Sequence, residues 1–185
     1  DLKAISYLPL LKKVYSKGDG NLLNLITKIL KNENIKIIES HKYCKNLILK
    51  NTPTLTRPSK IDINDFKKGK KILNLLSKFD NAQGIIIDEG YILAIEAAEG
   101  TDEIIKRIKK INYKKNKVVS GSLIKLTKVN QNLKYDLPTI GYKTINLCIK
   151  SNLKGIFLEK NKNIFLNQKK SIDLANKNNF FITAV

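Results

Sequence analysis

The chain has only two cysteines, Cys44 and Cys148, which stand far apart with no CxxC pair and no Cys/His cluster around them. That excludes a zinc framework and a disulfide scaffold, because both need sulfur or imidazole ligands at short, paired spacings. Both thiols are expected to be reduced core residues of a cytosolic protein. One histidine is present, His41, and no Ser or Cys near it belongs to a nucleophile motif, so a hydrolytic triad has no support. No apolar run reaches the roughly 18 residues that a membrane span needs, and no signal-peptide pattern opens the visible chain. Neither GxxxxGKS/T nor GxGxxG occurs, which removes P-loop and dinucleotide-fold readings. Acids are scarce too: 16 Asp and Glu against 35 Lys and Arg leave a formal net charge of +19.

Such a charge ordinarily points to nucleic acid or an anionic membrane, since clustered cations neutralise phosphate and release counterions. Here the lysines are spread along the whole sequence, Lys far outnumbers Arg, and stacked-aromatic, Arg-rich and zinc-finger signatures are missing. No nucleic-acid partner is expected, whereas an acidic or phosphorylated one is.

A length of 185 residues suits one full domain and part of another. The sequence opens on Asp1 inside a helical pattern, which predicts a truncated start. Leu8, Leu11, Val14 and Tyr15 form one helical stripe, and Leu22, Leu23, Ile26, Ile29 and Leu30 a second, joined by a Gly18-Asp19-Gly20 turn. Residues 35–38 read as a short strand and 41–49 as a short helix or turn. The proline-bearing stretch at 51–59 marks a domain boundary. Beyond it Phe66, Gly69, Ile72, Leu73, Leu76 and Phe79 predict a long helix capped by Asn64 or Asp65. Residues 84–87 and 91–95 around Asp88-Glu89-Gly90 predict a hairpin, apolar on both faces and therefore inside a covered sheet. Helices at 104–111, 145–153 and 171–177 alternate with strands at 123–126, 155–158 and 180–182, the pattern of an α/β fold.

Asp136 sits between Tyr135 and Leu137, directly before Pro138-Thr139-Ile140-Gly141 and the apolar spacing of a helix. It is expected just upstream of that helix N-terminus, a place that favours anions. Glu96, Glu99 and Asp102 cluster where a strand becomes a helix, and α/β proteins put their sites in such loops. Thr101 also reads as an ordinary N-cap, with Asp102 and Glu103 complementing the helix dipole. Glu96 ends a run apolar on both faces without an evident local partner, and a buried acid needs a cation, a metal or a proton. Lys125 and Lys128 are either two more lysines in a basic chain or partners of these acids at a phosphorylated substrate. In the second case the carboxylates would hold Mg²⁺ and the ammonium groups would neutralise phosphate.

Residues 94–102 (Ala-Ile-Glu-Ala-Ala-Glu-Gly-Thr-Asp) and 136–141 (Asp-Leu-Pro-Thr-Ile-Gly), with Gly18-Asp19, Leu55-Thr56, Gln83, Lys125, Lys128 and Gln131 in the same order, resemble the UDP-2,3-diacylglucosamine pyrophosphatases of the LpxI type. The resemblance implies two α/β domains with the active site between them. Residues 1–52 would be the end of the first domain, 53–60 a linker, and 61–185 a complete catalytic α/β domain with a mixed sheet. It implies hydrolysis of UDP-2,3-diacylglucosamine to UMP and 2,3-diacylglucosamine 1-phosphate in lipid A synthesis, with Mg²⁺ or another divalent cation as cofactor. It implies catalytic roles for Asp136, Asp102 and Glu99, with Asp136 and Asp102 on the metal. Gly18, Asp19, Gln83, Glu96, Thr101, Lys125, Lys128, Gln131 and Thr139 would contact substrate. A cytoplasmic protein in peripheral contact with the inner membrane is implied, and a homodimer is left open. Three positions depart from the family pattern: Ala82 where Gly is usual, Asn132 where Asp is usual, and Lys134 where Arg is usual. Asn132 removes a charge and Lys134 gives up bidentate phosphate geometry. The competing reading is a non-catalytic basic α/β module that binds nucleotide, anionic lipid or RNA.

Overall fold

A computed structural model describes residues 5–15, 19–115, 120–129 and 131–185. A helical hairpin comes first, α1 (Leu8–Tyr15) against α2 (Asp19–Asn32), both amphipathic and in contact with each other. Gly18 lies outside the described residues, and Asp19 is already the first residue of α2. Residues 35–38 form no strand. Ile35 and Ile38 are exposed, and no strand among the described residues pairs with this segment. A short α3 (Ser40–Tyr43) and a 3₁₀ turn (Lys45–Leu47) follow, and Cys44 between them is exposed, against expectation.

Residues 48–57 run along the main sheet. Leu49 is buried in its core, Ile48 bridges to Ile164, and the Thr54 hydroxyl bonds both the N–H and the carbonyl of Ile182. Helix α4 (Lys60–Leu76) starts earlier than its apolar spacing indicates. Its N-cap is Ser59 rather than Asn64 or Asp65: the Ser59 hydroxyl accepts the Asp62 N–H, and the Asp62 carboxylate accepts the Ser59 N–H. Asp65 is instead buried and accepts the Gly90 N–H at 2.7 Å, fixing the hairpin turn to the helix.

The remaining elements are β1 (Gly84–Asp88), β2 (Tyr91–Ile95), α5 (Thr101–Lys115), β3 (Ser122–Lys125), β4 (Thr139–Ile140), α6 (Tyr142–Lys150), β5 (Gly155–Leu158), β6 (Ile164–Phe165), α7 (Gln168–Lys177) and β7 (Phe181–Ala184). Five strands form a mixed sheet in the order β2-β1-β3-β5-β7, antiparallel at its first two pairings and parallel at its last two. Strands β4 and β6 make a small parallel pair beside it. Because side chains alternate along a strand, Ile86 faces one side of the sheet while Ile85 and Ile87 face the other. On the first side Ile86, Leu123, Ile156 and Ile182 pack with Ile104, Ile105 and Ile108 of α5, Ile145 and Cys148 of α6, and Ala175 of α7. On the second, Ile85, Ile87, Ile124, Phe157 and Phe181 pack under Leu73 of α4. A Cβ on Gly69 would stand 2.4 Å from Ile124 Cδ1, so glycine is what lets α4 lie this close to the sheet.

The molecule is thus an α/β protein with three layers. The hairpin is covered only in part: β1 is fully buried, but β2 has one neighbour, lies at the sheet edge, and exposes Tyr91 and Ile92. Cys148 is a core residue, and burial pushes its thiol far up the pH scale. No described helix is long and apolar enough to cross a membrane.

Candidate active site

The carboxyl ends of β2 and β3 meet the amino end of β1 at one edge of the sheet, where α/β folds open their ligand crevices. The loops leaving them enclose a cavity of about 730 Å³, and α2 closes its far side with Gly20, Leu22, Leu23 and Asn24. Gln83, Glu96, Lys128, Gln131 and Asp136 all line this one cavity.

Glu96 follows β2 and folds its carboxylate back over Gly84. A Cβ at Gly84 would stand 2.4 Å from Glu96 Oε2, so only glycine leaves that space. The Thr101 hydroxyl donates to Glu96 Oε1 at 2.9 Å, and Lys125 Nζ donates to Thr101 Oγ1 at 2.6 Å and to Glu96 Oε2 at 3.5 Å. Lys125 is only 5 % exposed. It does not line the cavity, and its charge is spent on holding Glu96, which supplies the partner that the sequence left open. Glu96 is therefore a fixed anionic wall, paired from behind as a buried charge must be.

Lys128 reaches across the cavity mouth, donating to the Asp80 carbonyl at 2.7 Å and to Asp80 Oδ1 at 2.9 Å. Asp80 and Ala82 both adopt left-handed backbone, with φ of 60° and 57°. Ala82 is thus a larger departure than its size suggests, because the glycine usual there would adopt this φ without strain. Gln131 Oε1 accepts the Lys128 N–H at 3.0 Å, which fixes the amide's orientation and leaves Nε2 buried with no hydrogen-bond partner among the described residues. Tyr135 donates to Asn24 Oδ1 at 2.7 Å and ties this loop to α2. The Asp136 carboxylate is half-buried, lines the cavity, and has no hydrogen bond or ion pair to any described residue.

Asp136 does not stand at a helix N-terminus. Thr139 and Ile140 are drawn into β4, where the Pro138 carbonyl accepts the Ile164 N–H, and α6 starts only at Tyr142. The acid beside the first turn of α6 is Asp102, which accepts from the Thr144 hydroxyl at 3.1 Å and pairs with Lys143 at 3.1 Å. Asp102, Glu99, Thr101 and Thr139 line a separate, shallower depression of about 380 Å³. Glu99 there pairs with Arg107 at 3.4 Å. Asp102 and Asp136 therefore belong to different hollows. The side chain of Asp19 is not among those described.

Asp80, Asn81, Tyr135 and Asn24 are cavity residues that the sequence did not single out. Asp80 and Asn81 do fall in the short connection between a helix end and a strand, the one local signal that could have marked them. A third hollow, beyond the carboxyl ends of β3 and β5, holds Glu159. Burial pushes that acid up, but hydrogen bonds from Lys162 and Thr127 outweigh it and hold the carboxyl below its usual range.

Residues 50–183 match the family model described as the LpxI C-terminal domain. Over its whole length the chain is 27 % identical to the UDP-2,3-diacylglucosamine pyrophosphatase LpxI of Caulobacter vibrioides, of which it covers 68 %. With nearly three quarters of its length inside one family model, the chain belongs to the LpxI C-terminal domain family.

Proposed function

We propose that this protein hydrolyses the diphosphate of UDP-2,3-diacylglucosamine in lipid A synthesis, giving UMP and 2,3-diacylglucosamine 1-phosphate. The observation that carries the reading is the convergence of Gln83, Glu96, Lys128, Gln131 and Asp136, distant in sequence, on one cavity. Water would attack the β-phosphorus next to the sugar. A new P–O bond forms there as the bond to UMP breaks, and a proton is released to solvent.

The residues divide the work by chemistry. Lys128 offsets negative charge on the diphosphate, the Gln83 amide donates to phosphate oxygens, and Gln131 holds the Lys128 backbone in place through its Oε1. Glu96, clamped by Lys125 and Thr101, repels phosphate from its side of the cavity and so confines the diphosphate toward Lys128 and Asp136.

Mg²⁺ is commonly bound by one or two carboxylates with substrate phosphate oxygens and water. Asp136, an unpartnered carboxylate in a cavity suited to phosphate, fits that pattern together with the diphosphate. Asp102 does not share it, and no three His, Cys, Asp or Glu side chains among the described residues make a metal site by themselves. When bound, Mg²⁺ would neutralise charge growing on the diphosphate. A substrate carrying two acyl chains resides in a bilayer, so the protein would work in peripheral contact with the cytoplasmic face of the membrane.

The test is UMP release from UDP-2,3-diacylglucosamine by the full-length protein with Mg²⁺ in ¹⁸O-labelled water. Label is expected on the lipid phosphate. Asp136→Ala should abolish turnover while substrate still binds, whereas Asp102→Asn should leave activity within about tenfold of the wild type. A folded protein that releases no UMP would sink this reading in favour of a phosphate-binding module.

A further inference from the structure

We propose that Asp80 is a positioning residue for Lys128: it holds the Lys128 ammonium at the cavity mouth, ready for the diphosphate. The proposal rests on the pyrophosphatase reading, because it names how that site presents its cation.

The charge of a lysine ends a flexible four-carbon stem, and ordering that stem only when phosphate arrives costs rotamer freedom and weakens binding. Here the side chain is ordered at both ends. Gln131 Oε1 accepts the Lys128 backbone N–H, and the ammonium donates to two oxygens of one residue, the Asp80 carbonyl at 2.7 Å and Asp80 Oδ1 at 2.9 Å. An ammonium has three N–H donors, so one remains for a phosphate oxygen in the cavity that Lys128 lines.

Asp80 offers both oxygens because of where the chain puts it. It closes the 3₁₀ turn at Ser77–Phe79 with φ of 60° and ψ of 21°, and its N–H donates to the Ser77 carbonyl at 3.1 Å. Aspartate adopts this left-handed backbone more readily than most residues. The second carboxylate oxygen faces α2: a Cβ on Gly20, in the first turn of that helix, would stand 3.4 Å from Asp80 Oδ2. The positive end of the helix dipole favours a carboxylate there, and so favours the same rotamer that meets Lys128.

Stability is not what the pair supplies, since the Asp80 side chain is 51 % exposed and exposed ion pairs contribute little to folding. The rival role has the opposite sign. A carboxylate that competed with phosphate for Lys128, or repelled it, would weaken binding, and its removal would tighten it; a positioning carboxylate is one whose removal loosens binding.

The experiment compares Asp80→Gly and Asp80→Asn in the full-length protein, in the wild-type and Lys128→Met backgrounds. Glycine removes the carboxylate without straining the left-handed backbone, and asparagine keeps an acceptor without the charge. In UMP release from UDP-2,3-diacylglucosamine, Asp80→Gly should raise KM about fivefold, the usual net contribution of one hydrogen bond, with kcat less affected. Asp80→Asn should fall between it and the wild type. In the Lys128→Met background Asp80→Gly should add nothing, whereas a merely structural Asp80 would lower the melting temperature and act equally in both backgrounds. A KM that is unchanged or lower in Asp80→Gly, or an effect of the same size in both backgrounds, would overturn the proposal.

A second readout is free of turnover: calorimetric titration of the same proteins with inorganic pyrophosphate and Mg²⁺. Binding that Asp80→Gly weakens only where Lys128 is present supports positioning even if no UMP is formed, so the two readings fail separately. Equal affinity with and without the carboxylate, or no binding by the wild type, overturns it.

Discussion

Glycine at position 84 is what places Glu96. Its missing Cβ leaves the space into which the Glu96 carboxylate folds, so Gly84→Ala should push that carboxylate off Lys125 and Thr101. Displacements of about 1 Å near reacting groups can lower rates on the order of 100-fold. A fall in kcat/KM of about tenfold or more is expected from steady-state assays, with the melting temperature little changed because the displaced oxygen ends a flexible side chain. Lys125→Met tests the same cluster through stability. Removing one partner of a buried ion pair leaves the other charge uncompensated, typically a loss of about 3–5 kcal/mol. Urea unfolding should show a loss of that order for Lys125→Met, and the double variant Glu96→Gln/Lys125→Met should recover part of it. Full additivity of the two substitutions would refute the pairing.

Helix α4 shows where local signals end. Its body was legible from the spacing of Phe66, Ile72, Leu73 and Leu76, but its start was not, because the Ser59 and Asp62 capping box precedes the apolar stripe. Ser59→Ala should therefore cost about 1 kcal/mol, the usual loss of an N-cap hydroxyl. Equilibrium denaturation measures it, and an unchanged midpoint would move the helix start toward Asn64. Other misreadings have the same root. The stretch 35–38 has strand composition but no pairing partner, and β2 is apolar on both faces yet lies at the sheet edge; neither fact is local. For the site, the residue reading picked out Glu96, Lys128 and Asp136, and Gln83 and Gln131 came only with the family resemblance. It misplaced Asp136 beside α6, since a two-residue strand intervenes, and it passed over Asp80, whose contribution is a left-handed backbone and a hydrogen bond to Lys128. Lys125 was read as a ligand contact because its burial beneath Glu96 depends on β3 lying beside β1.

Across the whole molecule, a net charge of +19 opposes compaction. The lysines are distributed rather than clustered, and several ion pairs among the described residues have at least one exposed partner and are worth little individually. Long-range repulsion should therefore outweigh local attraction, and salt, with a screening length of about 10 Å at 0.1 M, should relieve the first more than it weakens the second. Thermal stability is expected to rise with added NaCl. A melting temperature that falls with salt would mean that the ion pairs dominate. Acid sharpens the contrast. Glu159 has its pKa lowered in the folded state by Lys162 and Thr127, so it stabilises the fold above its unfolded pKa, and that contribution disappears as pH drops through the folded value. Acid also weakens what little negative charge opposes the 35 Lys and Arg of the chain. Unfolding in mild acid should thus be steep at low salt and shift to lower pH at high salt. Glu159→Gln should make the low-salt transition shallower, an outcome that circular dichroism followed against pH would decide.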